Sequence, residues 1–163
     1  MKRIILVRHA ESIKNINDQH GGLGLELTPK GVLDTKQFSF NIEYKIDEIL
    51  IVARKQCEQT AQIISGLLSL DFNQSEFLSP KSSCPLDFYE CLSTGLKNKM
   101  SITNTIMIIG TRSVLVGLWN VLHNYRPRHG GKYREVPWGN MGYAIFETID
   151  SEDDYYLSID RRS

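Results

Sequence analysis

Lys2-Arg3-Ile4-Ile5-Leu6-Val7-Arg8-His9-Ala10-Glu11-Ser12 opens the chain, and the place where its apolar run stops decides the fold. Ile4–Val7 is continuous, apolar and rich in β-branched residues. Such a run reads as a strand buried on both faces in a parallel sheet, because it leaves no polar side for water. In open α/β sheets, ligands bind beyond the carboxyl ends of strands. Arg8 and His9 emerge at that end. An arginine fork matches the paired oxygens of a phosphate. A histidine near neutral pH either accepts a phosphoryl group covalently or moves a proton. The plainer reading of the pair is two polar residues closing a strand.

Outward from this junction, strands and helices alternate. Residues Thr28–Phe40 read as a helix capped by Thr28, with Pro29 at its first position. Ile46–Ala53 reads as a second strand and Cys57–Leu70 as a helix with apolar residues recurring at three and four. Thr105–Gly110 is the cleanest buried strand, followed by a largely apolar helix over Ser113–Tyr125. Tyr143–Ile149 alternates, as an antiparallel or edge strand does, and leads to a polar, acidic tail. The pattern predicts an α/β chain. Its architecture is a single-domain three-layer sandwich over residues 1–163, with a mostly parallel sheet and helices on both faces.

Composition narrows the function. The 163 residues fit one domain with a sizeable core. Nineteen basic residues balance nineteen acidic ones, so no global field draws the chain to nucleic acid or to an anionic membrane. Cys57, Cys84 and Cys91 are an odd count without metal-like spacing and read as reduced thiols, which predicts a cytoplasmic protein. The first strand begins without a cleavable signal, and no apolar segment has spanning length. No metal or cofactor is expected. A nucleotide-binding reading fails because no glycine-rich phosphate loop is present.

Arg8-His9-Ala10-Glu11-Ser12, with Asn15, resembles the Arg-His-Gly-Glu-(Thr/Ser)-x-x-Asn signature of the histidine phosphatase superfamily, which includes the phosphoglycerate mutases. Leu27-Thr28-Pro29-Lys30-Gly31 resembles that family's Leu-Thr-x-x-Gly block, and Gln59-Thr60-Ala61 its Gln-Thr-Ala. The blocks follow in the family's order. The resemblance implies that His9 is the phosphorylated nucleophile and Arg8 a phosphate clamp. It makes Ser12 and Asn15 neutral donors to phosphate oxygens. Phe88-Tyr89-Glu90 resembles the family's Leu-x-Glu and makes Glu90 the candidate acid for the leaving group, with Asp87 a weaker substitute. Ala10 stands where the family has glycine.

Two departures matter more. Gln56 occupies the place of an arginine, and Val52 that of a serine; Arg54 lies close enough to be a substitute. The family's second histidine follows a buried strand, and Ile108-Ile109-Gly110-Thr111-Arg112-Ser113 puts Thr111 in its position with Arg112 next. A threonine hydroxyl donates one hydrogen bond and brings no charge. The loop Arg126-Pro127-Arg128-His129-Gly130-Gly131-Lys132-Tyr133-Arg134 is a further source of cations, or a basic surface loop. It reaches the Arg8 side if Tyr143–Ile149 runs antiparallel to Thr105–Gly110. His20 is a candidate border of the pocket, and His123 suits a helix end. Specificity is expected from residues 71–104 and 124–142, read as loops. Two functions follow. One is a phosphomonoesterase or phosphotransferase acting on a small phosphorylated substrate through phospho-His9. The other is an impaired module that binds a phosphorylated metabolite or protein.

Overall fold

The computed structural model describes residues 1–17, 26–148 and 154–163. Six strands are present: β1 (Arg3–Arg8), β2 (Glu48–Ile51), β3 (Phe72–Gln74), β4 (Thr105–Gly110), β5 (Tyr143–Thr148) and β6 (Tyr155–Arg161). They form one sheet in the order β3-β2-β4-β1-β5-β6. The first four run parallel, whereas β5 and β6 are antiparallel to their neighbours. The helices are α1 (Ile13–Asn17), α2 (Pro29–Asn41), α3 (Lys55–Leu68), α4 (Pro85–Ile102) and α5 (Arg112–Leu122). None of the described helices is long and apolar enough to cross a membrane.

The strand order explains where a ligand belongs. From β1 the chain moves through α2 to β2 and through α3 to β3, always away from β1. It then returns through α4 to β4, beside β1. Right-handed crossovers therefore place α2 and α3 on one face of the sheet and α4 and α5 on the other. Helices leave β1 and β4 toward opposite faces, which opens a crevice beyond their carboxyl ends. Arg8 pairs with Gly110 in the register, so His9 and Thr111 are the next residues out on either lip.

The two lips sit on a dry core. Ile4, Ile5, Leu6, Ile49, Ile51, Ile106, Met107 and Ile108 are all 0% exposed. Continuous apolar strands suit a sheet covered by helices on both faces.

Thr28 caps α2 as its sequence predicts, accepting a hydrogen bond from Gly31 N, with Pro29 in the first turn. Tyr143–Thr148 is the antiparallel strand its alternation suggested: it pairs with β1, which is parallel to β4, and so runs antiparallel to Thr105–Gly110. Two expectations need correction. The polar tail holds a strand, because Tyr155–Arg161 adds β6 outside Tyr143–Thr148 and makes the sheet edge. Residues 71–104 are not a loop: they hold β3, a single 3-10 turn at Glu76–Leu78 and the eighteen-residue α4. Their long polar stretches hid the apolar face that buries Tyr89, Leu92, Leu96 and Met100.

Candidate functional site

His9 leaves β1 with its backbone held on both sides. Its N–H donates to Gly110 O at 3.1 Å, and its carbonyl accepts from Asn140 Nδ2 at 3.1 Å. The next amide, Ala10 N, donates to Thr60 Oγ1 at 3.0 Å, and that hydroxyl donates to Gln56 O at 2.7 Å. Thr60 thus fixes the turn after β1 from the first turns of α3. Gln59 does the same for the second sequence block, accepting from Leu27 N at 2.9 Å. Gly31 packs against Glu11, where any Cβ would run into the Glu11 carbonyl oxygen. The three sequence blocks are therefore one interlocked support for the His9 turn.

The His9 ring is 4% exposed. Its Nδ1 lies 2.8 Å from Ala10 O. A carbonyl only accepts, so Nδ1 carries the proton and Nε2 keeps its lone pair. Burial pushes the imidazole pKa down to about 4; the Ala10 bond opposes this, and Arg8 and Lys14 add to it. The ring is neutral at physiological pH, which is the form that attacks phosphorus.

Arg8 donates from Nη1 to Trp138 O at 2.5 Å. Its Nε is buried without a hydrogen-bond partner among the described residues, an unusual cost for a charged donor. Burial, then the nearby Arg112, lowers its pKa below the ordinary arginine value. An anion seated against Arg8 relieves both conditions. Gln56 is 8% exposed, and its Oε1 is also without a partner among the described residues.

Thr111 is the N-cap of α5, yet its side chain makes no capping bond and, among the described residues, hydrogen-bonds only with Ser113 Oγ, at 3.2 Å. Arg54 is the N-cap of α3, exposed and likewise without a side-chain cap. Two helix N-termini with open amides therefore face the carboxyl edge of the sheet, a favourable setting for an anion. Arg112 is exposed and pairs with Glu135 at 3.3 Å. Ser12, 1% exposed, donates through N and Oγ to Asn15 Oδ1 at 2.9 Å in each case. Glu90 projects from α4 into an exposed ion pair with Arg126 at 2.6 Å. Among the described residues no group of three His, Cys, Asp or Glu side chains is arranged to hold a metal.

Residues 4–79 match the sequence profile of the histidine phosphatase superfamily (branch 1). The whole chain superposes on a phosphoserine phosphatase from Entamoeba histolytica, solved with 3-phosphoglyceric acid. That pair has a TM-score of 0.76 and 19% identity, with coverage of 100% of this chain and 98% of the other. A mycobacterial glucosyl-3-phosphoglycerate phosphatase, solved with VO3, gives a TM-score of 0.74 at 11% identity, covering 100% of both chains. A putative alpha-ribazole-5'-P phosphatase from Escherichia coli gives 0.74 at 12% identity, covering 99% and 97%. The first half of the chain is thus similar to that superfamily, and the whole chain shares the fold of these phosphatases. No curated protein sequence matches it.

The candidate site draws on a segment that the sequence motifs do not mark. Trp138 and Asn140 hold Arg8 and His9 through the bonds above, and Met141 N donates to Arg8 O at 3.2 Å. The segment is itself pinned by the C-terminus, through Gly139 N to Arg162 O at 2.6 Å. Only the apolar-then-glycine run before β5 hinted at a tight approach. Arg126 and Arg134 of the basic loop have partners of their own. Arg126 goes to Glu90, Arg134 stacks over Tyr125 at 3.7 Å, and the loop lines a separate hollow beside Asn120 and Asn124. His20 falls outside the described residues.

Thr60→Val tests the support. It removes the acceptor for Ala10 N and leaves a buried amide unpaired, which costs about 1–3 kcal/mol. A matching fall in unfolding free energy by chemical denaturation is expected.

Proposed function

We propose that the chain is a phosphomonoesterase that forms a phosphohistidine at His9. The observation that carries this reading is the state of the ring. It is buried and neutral, protonated at Nδ1 by geometry, and it leaves Nε2 free next in sequence to an arginine whose Nε has no partner among the described residues. Phosphoryl transfer asks a protein mainly for positioning and charge stabilisation. In the first step the Nε2 lone pair forms the N–P bond while the ester P–O bond breaks, and its electrons leave with the alcohol oxygen. Water then attacks phosphorus, the P–N bond breaks, and phosphate and neutral His9 are restored.

Arg8 is proposed to hold the equatorial oxygens through Nε. The α5 N-terminus, Thr111 and Arg112 are proposed to supply the remaining donors from the opposite lip, with Arg54, Ser12 and Asn15 at the border. Glu90, exposed and engaged by Arg126, is assigned a minor part in protonating the leaving group. The substrate is a small phosphorylated molecule, and the setting is cytoplasmic. The test is to trap the intermediate. Incubation with a labelled phosphomonoester, followed by an alkaline quench, is expected to give an acid-labile phosphoryl label that His9→Ala abolishes. Phosphate binding without any label, lost in Arg8→Ala, would instead establish the binding-module reading favoured by Gln56 and Thr111.

A further inference from the structure

The flank of the crevice beside Arg112 is shaped for a particular kind of alcohol. A cleft of about 520 Å³ opens there between the start of α4, the start of α5 and the returning 133–135 segment. Its apolar walls are Pro85, Phe88, Val116 and Tyr133; three serines and the Arg112–Glu135 ion pair line the rest. The two aromatic rings meet edge to face, with centroids 6.0 Å apart and planes at 73°. Neither ring is loose. Tyr133 OH donates to Pro85 O at 2.9 Å. Phe88 is seated against Gly117 of α5, where a Cβ would come within 2.9 Å of Phe88 Cε1. The cleft is therefore a preformed aromatic slot, and it adjoins the lip of the crevice: Ser113, which also lines it, meets Thr111 Oγ1 at 3.2 Å, and Thr111 follows the register partner of Arg8.

We propose that this slot receives the leaving group, and that the substrates are phosphomonoesters of flat, apolar alcohols of the aryl type. The proposal rests on reading Arg8 and His9 as the phosphoryl site. Ring-sized apolar groups gain most from such walls, through burial and edge-to-face contact. The chemistry agrees with the shape. When Nε2 displaces the alcohol, the P–O electron pair departs on oxygen. An aryl oxide tolerates that charge, since a phenol has a pKa near ~10. Water, by contrast, holds its proton to ~15.7, and an aliphatic alcohol behaves like water. Leaving groups of the first kind have little need of an enclosed acid, and Glu90 is exposed and paired with Arg126.

Two non-hydrolysable probes separate this proposal from the reading beneath it. Benzylphosphonate and methylphosphonate share the anion and differ in the ring. Calorimetric titration of the full chain is expected to show benzylphosphonate binding roughly 10-fold or more tighter. Ser83→Trp, on the exposed rim of the slot, is expected to erase that advantage and leave methylphosphonate binding in place. Phe88→Leu is expected to reduce it, with a thermal melt confirming the fold. Equal affinity for the two probes, or an advantage that survives Ser83→Trp, overturns the proposal while leaving the phosphoryl site intact. Failure of both probes to bind the folded protein overturns the phosphoryl site and the proposal together.

Discussion

Thr111→His is expected to raise kcat on a phosphomonoester by roughly 10²-fold. A preorganised donor to a developing anion is worth about 2.7–4 kcal/mol, or 10²–10³ in rate. Position 111 is open to such a donor. Its backbone is extended, at φ −81° and ψ 161°, and any residue adopts that conformation. Its hydroxyl caps nothing, so replacing it sacrifices no helix bond. It also follows Gly110, the register partner of Arg8, across the crevice from His9. Gln56→Arg is the companion change, with a different signature. Gln56 is buried with a carbonyl oxygen unpartnered among the described residues, and a guanidinium enclosed there without a counter-ion costs stability. The free variant is expected to melt lower and to recover most of the loss when vanadate is added. The double variant should gain less than the product of the two, because donors to one anion act as a unit. Steady-state kinetics decide the matter. An unchanged kcat in Thr111→His means that the lip opposite His9 does not face the phosphoryl group.

The same comparison bears on what the native chain has given up. Two missing donors without replacement cost on the order of 10⁴–10⁶ in rate, if their effects simply add. Enhancements for phosphate monoesters reach ~10²¹, so a centre that keeps His9, Arg8 and two open helix N-termini retains ample room for turnover. On the proposed function, these magnitudes correspond to a slow enzyme acting on good leaving groups.

Local chemistry made the centre of the fold readable in advance. Ile4–Val7 and Thr105–Gly110 are buried on both faces, so their apolar runs are unbroken, and the register then sets Arg8 against Gly110. Thr28 and Pro29 marked the start of α2 through capping chemistry. The outlying elements were not legible, because their stability is tertiary. β3 is three residues of Phe-Asn-Gln that form a strand by pairing with β2. β6 carries a register shift against β5 between Ile145 and Phe146 that breaks its alternation. At the candidate site, the motifs pointed to Arg8 and His9 but not to the residues that hold them. Trp138 and Asn140 arrive from more than a hundred residues away, and only the pairing of β5 with β1 brings them to Arg8 and His9. Glu90 shows the converse. Its sequence context suggested an acid, and its partner Arg126 comes from a loop whose course the sequence does not specify.

Acid should separate the wild type from a His9→Asn variant in stability. The folded His9 has its pKa pushed down to about 4, mainly by burial, with Arg8 and Lys14 reinforcing it. In the unfolded chain the ring titrates near ~6.5. Between those values the unfolded state binds a proton that the folded ring refuses, so stability rises with pH across the window. Above it both states are neutral, and below it both are protonated, so the dependence flattens at each end. Acidification from pH 7 to 4 therefore costs the folded wild type about 3 kcal/mol through this one group, a large share of the ~5–15 kcal/mol that holds an ordinary domain together. Asparagine does not titrate, and its amide can still donate toward Ala10 O. Denaturant titrations at pH 7 and pH 4.5 are expected to show the variant losing less stability than the wild type by most of that amount, since the carboxylates common to both chains cancel. Bound phosphate should narrow the gap, because an anion beside Nε2 favours the imidazolium. The activity profile supplies the matching kinetic check: the acid limb of kcat/KM should fall near pH 4. A limb near 6.5, with equal acid losses in both chains, would show that the ring is solvated and that the buried, Nδ1-protonated nucleophile does not describe the working enzyme.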